Sequence, residues 1–176
     1  MVELRDATVA DAHAIAVVQV RSWRAAYRGQ IPEDVLAGLS VPDTDRLWSE
    51  RLTGKPLLTR VVVATRGAFV VGFAATGTPV NPTDRTDRSL GDLYSLYLDP
   101  DVWGRGIGTQ LHGAALDGLR ACGFVQAGLW VLDSNTRALR FYQRHGWTDT
   151  GRTQTDRGPS DIELLERRLQ RSLIAD

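Results

Sequence analysis

Cysteine occurs once in the 176 residues, at Cys122. No disulfide can form within the chain, which suits a reducing compartment. Lysine is almost absent: Lys55 is the only one, so arginine supplies nearly all the positive charge. A guanidinium stays charged and forks onto carboxylates and phosphates. Neither sign of charge is in excess, with 21 basic residues against 21 acidic ones. A dedicated nucleic-acid binder carries a basic surplus, so the composition speaks against nucleic acid as a partner. No apolar run reaches the ~18 residues that a membrane helix needs. The segment Met1–Asp6 is charged and has no pattern of a secretory signal. Three histidines and one cysteine leave too few ligands for a metal cluster, so no metal is expected. These absences describe a soluble cytoplasmic protein with no membrane partner.

The length, about 1.2 times a ~150-residue domain, predicts one domain over residues 1–176. Residues 2–5 alternate as a short strand. Thr8, with Asp11 three residues on, marks a helix start, and that helix runs to about Tyr27. Pro32 and Val41-Pro42-Asp43 open two more helices, the last ending near Gly54. The pattern then becomes β: residues 60–76 read as a hairpin, and residues 77–89 as a mobile polar loop. A strand at Leu93–Leu98 leads through a glycine loop into a helix over 108–122. A strand at Phe124–Leu132 and a helix from Asn135 to about Arg144 follow. The final segment, 161–169, has helix propensity, but Gly158-Pro159 reads as a turn that folds it back as a strand. The expected order is β-α-α-α-β-β-β-α-β-α-β-β. That is an α/β (α+β) fold with about seven strands in a mixed, mostly antiparallel sheet flanked by helices.

Two segments carry chemistry. Trp103-Gly104-Arg105-Gly106-Ile107-Gly108-Thr109 follows a strand and opens a helix. Glycines let backbone amides approach a phosphate, and a helix N-terminus favours anions. No Gly-Lys-Ser/Thr is present, which excludes a P-loop, and Thr109 stands where a dinucleotide fingerprint needs glycine. An NAD-type oxidoreductase is therefore disfavoured. In the second segment Asn135, Ala138, Leu139 and Tyr142 are spaced to share one helix face.

Together these blocks resemble the GCN5-related N-acetyltransferase (GNAT) superfamily. The strand with Trp-Gly-Arg-Gly-Ile-Gly is similar to its acetyl-coenzyme A (acetyl-CoA) motif. Asn135-x-x-Ala138-x-x-Phe141-Tyr142-x-x-x-Gly146-Trp147 is similar to its second motif. The blocks cover about residues 90–150, and the element order extends the likeness over most of the chain. The resemblance implies acetyl-CoA as co-substrate and transfer of its acetyl group to a primary amine by direct attack on the thioester. Leu96, Tyr97 and Leu98 would pair with the pantetheine arm, and the amide of Leu98 would steady the thioester oxygen. The amides from Gly104 through Arg105, Gly106, Ile107 and Gly108 to Thr109 would hold the pyrophosphate. Asn135 would contact the arm, and Tyr142 would act as general acid at the sulfur. The family pattern has Gln or Arg where this chain has Trp103, and Arg105 is one source of the missing charge.

A lysine-like amine needs about 4.6 kcal/mol to deprotonate at pH 7, so a base is required. Asp92, at the start of the Leu93–Leu98 strand, is the candidate base; its alternative is a strand-end aspartate. His112 and His145 read as structural or solvated, and Cys122 as inert. Trp23 and Tyr27, with Trp48 nearby, form a candidate acceptor wall; the alternative for Trp23 and Trp48 is that they are core anchors. The acceptor is a small-molecule or peptide amine. The likeness is compatible with a homodimer. The competing function is an acyl-CoA-binding module that does not turn over.

Overall fold

The computed structural model describes residues 1–54 and 58–174. Its elements are β1 (Glu3–Asp6), α1 (Ala12–Ala26), α2 (Glu33–Ala37), α3 (Val41–Gly54), β2 (Leu58–Arg66), β3 (Phe69–Gly77) and β4 (Leu90–Leu98). They continue with α4 (Ile107–Ala121), β5 (Gln126–Leu132), α5 (Thr136–Arg144), β6 (Thr148–Arg157) and β7 (Glu163–Ser172). The seven strands form one sheet in the order β1-β2-β3-β4-β5-β7-β6. Only the β4–β5 pair is parallel.

The sheet is covered on both faces, and the period-2 rule of a strand sorts its side chains. On β2, Val61 and Val63 face α1 and α3, where they pack with Ile15, Val18, Trp48 and Phe73. Val62 and Ala64 face the other way, onto α4, with Leu111, Ala115 and Leu119. A strand buried on both faces is apolar without interruption, as Val61-Val62-Val63-Ala64 is.

Local signals behave as their chemistry dictates. The Thr8 amide donates to Asp11 at 2.8 Å, and Arg5 grips the same carboxylate at 2.7 and 2.8 Å. A short 3-10 turn at Val9–Asp11 precedes α1, so the α-helix proper begins at Ala12, later than Thr8. The segment Glu163-Leu164-Leu165-Glu166-Arg167 is strand, because it hydrogen-bonds to β5 on one edge and to β6 on the other. Two-sided pairing outweighs an intrinsic helix preference of a few tenths of a kcal/mol per residue.

The segment 77–89 differs from the mobile loop expected. It holds a 3-10 turn at Asp84–Thr86, and Asp84 is buried at 4% exposure. Arg152 of β6 reaches Asp84 at 2.6 Å and Arg168 of β7 reaches it at 3.2 Å. Sequence polarity marked this stretch as a loop, but its aspartate is an anchor.

Candidate active site

Opposite β3, β4 carries one residue too many: Ala75 faces Ser95 and Thr76 faces Leu93, so Tyr94 is a bulge. The parallel pairing with β5 spans only Leu90–Asp92 against Gln126–Gly128. β5 then runs on to Leu132 beside β7. Past Asp92 the two central strands therefore diverge into a wedge. The Asp99 amide turns to β3, donating to Val71 at 2.9 Å. Alternation along the strand aims the amides of Leu96 and Leu98 into the wedge. The Leu98 carbonyl on that edge accepts from Trp103 Nε1 at 3.0 Å.

A cleft of about 480 Å³ occupies the wedge on the α4/α5 side. It gathers Leu96, Tyr97, Leu98, Gly104, Gly106, Ile107, Gly108, Thr109, Asn135 and Tyr142, with Tyr27 on its wall. Gly104 and Gly106 have φ of 74° and 78°, in the left-handed region that glycine enters at no steric cost. Gly106 is the N-cap of α4 and makes no side-chain cap. The first bond of that helix is Gln110 N–H to Gly106 O. The amides ahead of it are therefore the open donors of a helix start, facing the cleft.

Asn135 is placed by two bonds. Its side-chain oxygen caps α5 at Ala138 N–H (3.0 Å), and its amide nitrogen donates to the Tyr27 hydroxyl (3.2 Å). Tyr27 thus lines this cleft. Tyr142 is 9% exposed, and burial holds its phenol well above the ordinary tyrosine range. Burial does the same for Tyr27 and Tyr97.

Four expected residues have neighbours that the sequence does not announce. Arg105 lies outside the cleft lining. Arg137, on the first turn of α5, lines it and stacks its guanidinium 3.8 Å from the Trp103 ring centre. A positive charge thus stands beside Trp103 on the wall of the cleft. Arg137 stands inside the second motif, two residues after Asn135, but its sequence position alone did not tie it to Trp103. Trp23 packs edge-on against Tyr27 at 5.0 Å in a small apolar cluster with Ile31 and Leu36. Trp48 is 1% exposed and donates to Gln19 at 2.7 Å.

Asp92 is the fourth. Its two oxygens meet Arg168 at 2.6 and 3.1 Å, and Arg168 is completely buried. Burial pushes the Asp92 carboxyl up, against the pull of Arg168. A proton taken up there would break a buried ion pair, which costs about 3–5 kcal/mol. The pair ties β4 to β7.

The histidines hold the cleft's floor together. His112 accepts from Trp147 Nε1 at 2.8 Å. His145 Nδ1 faces the Phe141 carbonyl at 2.8 Å and therefore carries the proton, leaving Nε2 to accept from Thr109 at 3.2 Å. Burial, and then the neighbouring His145, push His112 down to about 4. Its folded pKa lies below the ordinary ~6.5, so the unfolded chain binds the extra proton, and stability falls as pH drops from about 6.5 toward 4. Between pH 7.5 and pH 5 the loss assigned to His112 is about 2 kcal/mol. His112→Gln, which keeps an acceptor for Trp147, is expected to flatten that part of the dependence in urea unfolding measured at both pH values.

The sequence profile of the Acetyltransferase (GNAT) family matches residues 21–147. YuaI of Bacillus subtilis (strain 168), an uncharacterized N-acetyltransferase, is 31% identical over 145 residues, which is 82% of this chain and 79% of YuaI. A mycothiol acetyltransferase of Geodermatophilus obscurus is 39% identical over 67 residues, 38% of this chain but 22% of that longer protein. Among solved structures, yncA from Salmonella typhimurium, determined with its cofactor acetyl-CoA, shares the fold. Its TM-score is 0.71 at 19% identity, covering 100% of this chain and 96% of yncA. The matched profile runs from within α1 to Trp147 and so takes in the wedge, the glycine loop and the Asn135–Tyr142 face. The chain belongs to the GNAT family of acetyltransferases.

Proposed function

We infer that this protein is an acetyl-CoA-dependent N-acetyltransferase whose acceptor is a primary amine of a small molecule or peptide. The observation that carries this is the divergence of β4 from β5 beside an uncapped, glycine-started helix. A free strand edge fits an amide-bearing arm, and open helix amides fit a pyrophosphate.

Acetyl-CoA supplies the acetyl group as a thioester. The Leu98 amide, aimed into the wedge, donates to the thioester oxygen and favours the charge that develops there. The loop from Gly104 to Thr109 presents its amides to the pyrophosphate, and Arg137, held flat on Trp103, adds a fixed positive charge at the same mouth. Asn135 keeps Tyr27 and the first turn of α5 in register along the arm. Tyr142 stays protonated at every working pH because burial favours its neutral form. It presents its O–H to the leaving sulfur. A thiolate formed in the same desolvated cleft is also a stronger base than in water, so donor and acceptor are raised together.

Among the described residues no helix is long and apolar enough to cross a membrane. A cytoplasmic single domain over residues 1–176, acting alone or as a homodimer, fits this reading. The test is an amine screen with acetyl-CoA, following thiol release and identifying product by mass. At least one primary amine is expected to give one thiol and one N-acetyl product per turnover. Thiol release that is indifferent to every amine would contradict the assignment.

A further inference from the structure

A second cavity, about 750 Å³, lies on the other face of β4, toward α3. Trp48, Tyr94 and Trp130 give it apolar walls, and Glu166, Asp156 and the Arg168-paired Asp92 give it carboxylates. We propose that this cavity seats the acceptor, a compact primary amine on an aromatic or apolar body, and that Glu166 takes the ammonium proton before attack. The proposal rests on the N-acetyltransferase reading above.

Three observations converge on Glu166. It sits opposite Leu132 in the β5–β7 register, at the end of β5 where the wedge is widest. Its side chain shares a strand face with Leu164, which packs beside Tyr27 and Leu132, and with Arg168. That face is opposite the one carrying Leu169, which packs with α4 and Tyr142. Glu166 itself lines the second cavity, while Tyr27 and Tyr97 line the cofactor cleft. It therefore stands where the second cavity meets the wedge, across the sheet from Tyr142. An amine entering from this side meets the thioester from the face opposite the leaving sulfur's donor.

The surroundings suit a base. Gln154 donates to Glu166 at 2.8 Å and orients it without neutralising it. No ion pair to Glu166 is present among the described residues, whereas Asp92 is committed to Arg168. Burial raises the Glu166 carboxyl, the Gln154 hydrogen bond works against that rise, and Asp156 on β6 adds to it. The remaining charge lining the cavity is Arg51 of α3, which stacks at 5.2 Å from Trp48. A raised carboxylate lies closer to an ammonium in proton affinity than a solvated one does, which makes the transfer less uphill.

The balance is complete without another reactant. Glu166 removes one proton from the ammonium and later passes it to solvent. The amine nitrogen bonds to the carbonyl carbon and the carbon–sulfur bond breaks. The sulfur takes the Tyr142 proton, and the second nitrogen proton restores the phenol. Each turnover releases one net proton.

The experiment uses the full chain, acetyl-CoA and 2-phenylethylamine as the aromatic probe, with spermidine as an amine lacking an apolar body. Wild type is expected to acetylate 2-phenylethylamine with higher kcat/KM than spermidine. Glu166→Gln, which keeps the shape and the Gln154 contact, is expected to lose roughly 10²–10⁴-fold in kcat, with acetyl-CoA stabilisation unchanged. The acid limb of the wild-type pH profile should disappear in that variant and move to lower pH in Asp156→Asn, which removes the neighbouring like charge. A structural role for Glu166 would move neither limb. Wild-type turnover that survives Glu166→Gln within a few-fold overturns the base assignment alone, and preference for spermidine overturns the acceptor class. Failure of both probes, with another amine turned over, also overturns the class. No turnover with any amine removes the N-acetyltransferase reading itself.

Discussion

Replacing Tyr142 with phenylalanine is expected to lower kcat by roughly 10²–10⁴-fold, the usual contribution of a positioned proton donor. The ring fills the same buried site, next to Phe141 at 5.4 Å and Trp147 at 5.7 Å, so the packing survives. The lost atom is the phenol oxygen, the proton donor proposed for the leaving sulfur. Acetyl-CoA affinity is expected to change little, because the wedge edge and the helix amides are untouched. Steady-state kinetics together with a binding titration check this split. The same variant decides against the competing function. A module that only holds an acyl-CoA has no rate to lose, and equal slow thiol release from both proteins would favour it. The phenol's high proton affinity also sets a pH expectation: no basic limb assignable to Tyr142 ionisation should appear below pH 10, since burial keeps the phenol neutral there.

Gly128→Ala is expected to be the most destabilising single methyl in the sheet. A Cβ at Gly128 would stand 2.2 Å from Arg168 Nη2 and 2.8 Å from Asp92 Oδ1. An exposed arginine would swing away, but Arg168 is completely buried and pinned between Asp92 and Asp84. Displacing it leaves the buried Asp92 without its cation and Asp84 with Arg152 alone, and breaking a buried pair costs about 3–5 kcal/mol. For a chain of this size that is a fall in melting temperature of roughly 6–20 °C. Arg168→Met, which removes the guanidinium without adding a clash, should give a fall in the same range. If Gly128→Ala melts within 2 °C of wild type, the ion-pair core is not the rigid feature described here. The position also explains why the glycine is there: β5 passes directly beneath the pair that ties β4, β7 and the 77–89 segment together.

Much of this was legible from the chain alone, for physical reasons that can be named. The order of twelve elements followed from period and punctuation, including β7, where the Gly158-Pro159 turn outweighed helix propensity. The cleft followed from the Trp103–Thr109 loop and the Asn135–Tyr142 face, because helix starts and i, i+3, i+4, i+7 spacing are local signals. What escaped was long-range. Nothing local pairs Arg168 with Asp92, 76 residues away, or Arg152 with Asp84. Asp92 is therefore a candidate base by sequence and an ion-pair partner of Arg168 in the structure, and the polar 77–89 segment is anchored through Asp84. Arg137 on Trp103 is likewise a contact between two motifs, and neither motif announces it. Glu166 was hidden inside a segment whose very conformation was ambiguous. Its meaning depends on the bulge at Tyr94 and the divergence of β4 from β5, which set two cavities back to back.

The central claim is that the wedge binds acetyl-CoA. The direct measurement is thermal unfolding with and without acetyl-CoA, with NAD as the control. At ~100 times the dissociation constant, binding adds about 2.7 kcal/mol. That corresponds to roughly 5–11 °C in melting temperature for a chain of this length. A shift of that size with acetyl-CoA and none with NAD is the predicted result. No shift at millimolar acetyl-CoA, or an equal shift with NAD, would contradict the account.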